Sequence, residues 1–267
     1  MLFLYNMPAA LMGALIVGAT LAAALSGYLL FRRCFPVHLN AEQRGMTVAM
    51  MSAVTTINSL LVAFAAITVW GTYDAAAGTV SSEAACATEL AHDLASFGKP
   101  DALIARRELI VYIEHVVRDE WPQMQQYARA DAGTQAAFDR MFATTNRIVP
   151  SDDRERALLT EVLARVNEMT KLREHRLQAL DVAMPVTLWG VMLIASALSL
   201  VLLYVLPVTR FHLGLVTIWA TTLGLAFFFV LAVDRPFAGE VSVSPAPMQH
   251  AIDTLAAEDA EHQAAPA

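Results

Sequence analysis

Charge is what this sequence has least of. Asp, Glu, Lys and Arg make up only 16% of its 267 residues, while 57% are hydrophobic. A soluble chain carries about a quarter charged residues, so the missing charge points to lipid. The shortage is also uneven, because Leu11 to Phe31, Met46 to Trp70, Val186 to Val205 and Leu213 to Val233 contain no Lys, Arg, Asp or Glu. Each run approaches the roughly 20 residues that a helix needs to cross a bilayer core. The runs are continuously apolar, which excludes the alternating strands of a barrel.

Basic clusters are lacking too. Net charge is -7 and no basic cluster exceeds a pair such as Arg32 and Arg33, which excludes a nucleic-acid partner. The two cysteines, Cys34 and Cys86, flank the second run, so a disulfide between them would have to cross the membrane. The 12 glycines are scattered, with no phosphate-cradling loop, dinucleotide fingerprint or nucleophile elbow. Glu89 and His92 form one Glu-x-x-His pair, but a di-iron bundle needs a second copy, and Tyr112 and Leu172 stand three residues before His115 and His175. No enzyme activity, metal or cofactor is expected.

What is present reads as an all-α membrane protein with four transmembrane helices and a helical extramembrane domain between the second and third spans. Residues 1–70 hold the first helix pair, 71–185 the domain, 186–238 the second pair, and 239–267 a tail rich in Ala, Pro, Glu and Asp that is expected to be disordered. The first run is read as a retained anchor, because its charges, Arg32 and Arg33, follow the apolar stretch instead of preceding it. Trp70, Tyr73 and Trp189 mark the domain-side interface, and Tyr28 and Tyr204 the other.

Within the domain, helices are expected over Asp74 to Phe97 continuing the second span, Asp101 to Glu120, Thr134 to Ile148, and from Ser151 into the third span. Gly98 with Pro100, Trp121 with Pro122, and Pro150 supply the breaks. A continuous rod from Met46 to Phe97 would be on the order of 75 Å long. Such a stalk has little core of its own, so neighbouring copies are expected to complete a homo-oligomer. Arg32, Arg33 and Arg44 against Glu42 in the first short loop favour a cytoplasmic loop and a domain outside, although Lys171, Arg173, Arg176 and Arg235 on the domain side count against it.

Several patterns in order resemble the bacterial bestrophin-like domain family, from roughly Leu11 to Pro245. They are the run ending in Arg32-Arg33, Leu60-Leu61-Val62-Ala63-Phe64 before Val69-Trp70, and Tyr73-Asp74-Ala75. Glu83-Ala84, Tyr112, Glu120-Trp121-Pro122, Arg173, and Arg176-Leu177 before Pro185 and Trp189 follow. Last come Leu231 to Gly239 (Leu-Ala-Val-Asp-Arg-Pro-Phe-Ala-Gly) and Val243-Ser244-Pro245. The resemblance implies a bacterial inner-membrane protein and, by analogy with bestrophins, passage of small anions. Bestrophins keep their large domain in the cytosol, opposite to the charge count above.

Two sets of residues are candidates for function. Ser52, Thr55, Thr56 and Ser59 share one face of the second span, and a ring of such helices would give a hydroxyl-lined pore. Hydroxyls also pack membrane helices, which is their commoner use. Asp74, Glu83, Arg173, Arg176, Asp234 and Arg235 are expected to converge at the domain-side interface, as a charged vestibule or, more plainly, as an ion-pair clamp on helix ends. The leading reading is an oligomeric ion channel lined by the second span. Its rival is a non-conducting membrane scaffold or signalling protein. A transporter fits less well, since no span carries a charged residue or a Gly and Pro break.

Overall fold

The computed structural model describes residues 2–35 and 40–264, and these are helical with no strand among them. Residues 36–39 of the first short loop and the last three of the tail lie outside the described residues. A short α1 (Leu2–Tyr5) precedes α2 (Ala9–Cys34), and α3 runs over Ala41–Phe97. The polar domain then contains α4 (Pro100–His115), a π-helical turn at Val116–Glu120, α5 (Trp121–Tyr127), α6 (Ala132–Thr145) and α7 (Asp153–Gln178). After it come α8 (Val186–Tyr204), α9 (Arg210–Val233) and α10 (Ala246–Ala264). Among the described residues, α2, α3, α8 and α9 are long and apolar enough to cross a membrane, at the four expected places.

The length of α3 follows from its ends and from what it lacks between them. Asn40 opens it with a reciprocal box, its side chain accepting from the Gln43 N–H at 2.7 Å while the Gln43 side chain accepts from the Asn40 N–H at 3.1 Å. No proline interrupts the 57 residues, and Gly98 closes them in the left-handed conformation at φ +70°. At about 1.5 Å per residue the rod is about 85 Å long, far more than a bilayer core.

In the apolar layer α2 lies along α9, and α8 packs on α3. The α2–α9 contact is close because Gly224 has no side chain: a Cβ there would stand 2.9 Å from the Val17 Cα. Beyond the apolar run, α3 packs on α7, α4 and α10, and α4 packs on α6, around a core that includes Leu90, Leu109, Met141 and Met169.

Two expectations are corrected. The last domain helix does not run into the third span: α7 ends at Gln178, and residues 179–185 turn before α8. Pro185 has no N–H to continue a helix and restricts Met184 before it. The tail is also not a disordered segment, since Ala246–Ala264 forms a helix against α3 and α4. It buries Met248, Ala251 and Leu255, and Glu258 meets His92 at 2.9 Å while Asp259 meets Arg106 at 2.8 Å. Few apolar residues suffice there because they recur at helical spacing. Leu255→Ala should cost about 2–5 kcal/mol of that packing, so limited proteolysis should release α10 from the variant faster than from the parent protein.

Candidate functional site

The outward side of α3 is one continuous feature. Ala53, Ile57, Leu60, Phe64, Ile67 and Gly71 follow one another by three or four residues, and all are exposed. The spacing continues through Asp74, Gly78, Ser82, Ala85 and Glu89, and backwards through Met46 to Glu42, still exposed at every step. Leu60 and Ile67 are 72% and 71% exposed although each could bury most of a large side chain. On the opposite side Asn58, Ala65, Val69, Ala76, Val80 and Ala87 are buried. The helix therefore has one partnered face and one exposed stripe, which is unpartnered from Glu42 to Ala85 and ends at Glu89, paired with Arg165.

The four hydroxyl residues lie about a quarter-turn from that stripe. Ser52, Thr56 and Ser59 are exposed and Thr55 is half-buried. Thr56 donates its hydroxyl to the Ser52 carbonyl at 2.9 Å. Thr55, Asn58 and Ser59 line a groove of about 880 Å³ shared with Ile218, Trp219 and Thr222 of α9. Asn58 itself accepts from the Ser196 hydroxyl of α8 at 3.1 Å. The hydroxyl face thus points at neighbouring spans as much as outward.

The six charged candidates divide into two sites and one outlier. Glu83, Arg173 and Arg176 meet in the core of the polar domain, together with Glu120 and Tyr112. Fully buried Arg176 donates to Glu83 at 2.6 and 3.2 Å and to Glu120 at 3.0 Å. Arg173 donates to Glu120 at 2.8 and 3.0 Å and to Gln135 at 3.1 Å. Tyr112 donates to Glu83 at 2.7 Å, and the Arg173 guanidinium lies 5.4 Å from the Tyr112 ring centre and 5.5 Å from that of Phe138. Two carboxylates face two guanidiniums, so the cluster is neutral. Burial alone would push the Glu120 carboxyl up, but hydrogen bonds from Arg173 and the Arg176 charge outweigh it and hold the group below the ordinary glutamate value. Glu83 reaches the site because it lies on the partnered face of α3, and Glu120 because the π-helical turn carries it inward ahead of Trp121.

Asp234 and Arg235 sit elsewhere, where α9 ends. The Asp234 carboxylate accepts from the Met184 N–H at 2.6 Å and from the Tyr5 hydroxyl at 3.3 Å, tying α1 and the turn before α8 to the end of α9. Beyond it Phe237 meets the Trp121 ring edge-on at 5.7 Å, and the Trp121 indole donates to the Val243 carbonyl at 3.3 Å. Gly239 is required for this turn, with φ +80° and the Tyr5 carbonyl oxygen 2.6 Å from where a Cβ would stand. Gly239→Ala should therefore lower the thermal midpoint in mild detergent, by strain of about 1–3 kcal/mol. Asp74 joins neither site; it is exposed on the α3 stripe. Glu120 and Tyr112 are the members outside the six candidates, and the signal for Glu120 was its place directly before Trp121 and Pro122, where a helix break was expected. Among the described residues no group of His, Cys, Asp and Glu could hold a metal ion.

The sequence matches the family model of the bestrophin-like domain over residues 18–248. No curated protein matches it. Among solved structures, a single-residue variant of a bacterial bestrophin homolog from Klebsiella pneumoniae is similar with a TM-score of 0.61 at 12% identity, covering 91% of this chain and 95% of that one. A crystal structure described as a membrane protein is similar at a TM-score of 0.63 and 11% identity, covering 90% and 94%. At such identities the likeness is one of fold.

Proposed function

The chain belongs to the bestrophin-like family, and we propose that copies of it assemble into a closed ring that conducts small ions along an axis lined by α3. The observation that carries this reading is the unbroken exposed stripe. Lipid contact would account for Ile57 to Ile67, but lipid gives no reason for the stripe to continue past Asp74 through Gly78, Ser82 and Ala85. A shared axis explains both halves. The polar domain forms the vestibule, on the side opposite the loop that carries Arg32 and Arg33.

The sign of the ion is a separate matter. Family resemblance implies anions, but the stripe holds Glu42 and Asp74 at the two ends of its apolar section and no Lys or Arg. Arg44, the one Lys or Arg of α3, lies two positions from Glu42 and so on the far side of the helix. Rings of carboxylates favour cations. Glu89 contributes less, because Arg165 pairs with it at 2.5 Å.

Purified protein in liposomes tests the proposal, with potassium and chloride flux measured separately and the reversal potential taken in a salt gradient. A cation-shifted reversal potential that Asp74→Asn moves toward zero is the expected result. An anion-shifted potential would restore the family analogy. Absence of flux at every voltage and pH tried, from particles whose masses show no closed ring, would leave the non-conducting scaffold instead.

A further inference from the structure

A second groove, of about 490 Å³, opens where α2, α8 and α9 meet the polar domain. Its walls are Ile16, Leu193, Phe227 and Leu231, and its mouth holds Tyr5, Trp189, Asp234 and Arg235. Ile16 and Leu193 lie seven residues inside the domain-side ends of their helices and Phe227 six. The groove therefore descends about 10 Å from the helix ends into the apolar layer. We propose that it is a binding site for one glycerophospholipid, with an acyl chain along the apolar walls and the phosphate on Arg235.

Charge placement at the mouth selects the headgroup. The Asp234 carboxylate is 6% exposed and turned inward, with its oxygens engaged by the Met184 N–H and the Tyr5 hydroxyl. The half-buried Arg235, beside the Tyr5 hydroxyl, is left as the cation at the opening. A guanidinium at the level of an interfacial tryptophan matches a phosphodiester in position and in sign. The walls select the chain, since they are apolar down to Leu193 and Phe227 and offer no partner to a polar ligand. Helix α8 turns Met192, Ser196 and Ser199 inward and leaves Ile194 and Leu198 exposed on its outer side, so lipid is the solvent around it. A second copy of the chain has a different surface to use, the α3 stripe.

Native mass spectrometry of the full chain, purified from membranes in mild detergent, tests this independently of conduction. At collision energies that strip detergent, one phospholipid per chain should stay bound. Arg235→Gln should lower the retained fraction about tenfold, a loss of about 1.4 kcal/mol, and Arg235→Lys should restore part of it. Leu193→Trp, which fills the groove from within, should also empty it, with the thermal midpoint reporting that the variant is folded. Retention unchanged in Arg235→Gln, retention unchanged in a folded Leu193→Trp, or a lipid-free parent protein would each overturn the site. Displacement of the lipid by inorganic phosphate alone would also overturn it, because a site of this form takes its hold from chain and headgroup together.

Discussion

Replacing Arg176 with Met should destabilise the polar domain by about 3–5 kcal/mol, because it leaves Glu83 buried without its partner and removes one of the two cations on Glu120. Arg176 is fully buried and three of its bonds end on carboxylate oxygens, so no water replaces them. For a chain of this size the melting midpoint should fall by roughly 10 °C in mild detergent. The double change Arg176→Met with Glu83→Gln should recover part of the loss, since both charges of that pair then leave together. That recovery separates an ion-pair clamp from simple packing. Acidification gives a second readout. The Glu120 carboxyl titrates below its ordinary value of 4.5, so its contribution is fully present above pH 4.5 and is lost as pH falls through the depressed value. The Glu120 share of domain stability should thus be flat from neutrality to about pH 5 and then decline, a decline that Glu120→Gln should remove.

Most of the architecture was legible in the residues, for reasons that can be named. The four apolar runs lack charge outright, so their helices follow from length and lipid alone. The continuity of α3 followed from an absence of proline, and its end from Gly98. The α7 and α10 errors share another cause. Seven residues ending at Pro185 separate two helices whose patterns both look helical; Pro185 stops a helix from running through, and the bond from the Met184 N–H to Asp234, fifty positions away, fixes the turn. In α10 the apolar signal is three side chains among many small and charged ones, and the surface of α3 and α4 that receives them is invisible in the sequence. Charged residues were harder still. Glu83, Arg173 and Arg176 meet inside the polar domain, apart from Asp234 and Arg235 with which they were expected to converge. Asp74 and Glu83, nine positions apart on one helix, point to opposite sides of it, which is a matter of phase and of what packs where. The same phase separates the hydroxyl face from the exposed stripe, a quarter-turn that composition does not reveal.

That quarter-turn makes the second large effect a direct comparison. If α3 surrounds an axis, Leu60, Phe64 and Ile67 present the widest apolar side chains to it, and a ring of such groups resists water and ions by dewetting. Phe64→Asn should then raise ion flux, by about tenfold for a barrier lowered by about 1.4 kcal/mol. Thr55→Leu and Ser59→Leu, which fill the groove shared with α9, should change flux far less. The reverse outcome, flux lost in the threonine and serine variants and unaltered in Phe64→Asn, would put the hydroxyl face on the axis and rotate every copy by that quarter-turn. Lipid contact makes a third pattern. An asparagine facing hydrocarbon brings no conduction, and its cost appears instead as poorer insertion, so the yield of Phe64→Asn in the membrane fraction must be read beside its flux. A variant that inserts as well as the parent protein and conducts more can only have its new amide in contact with water, and within the apolar section of α3 the water available is that of a pore.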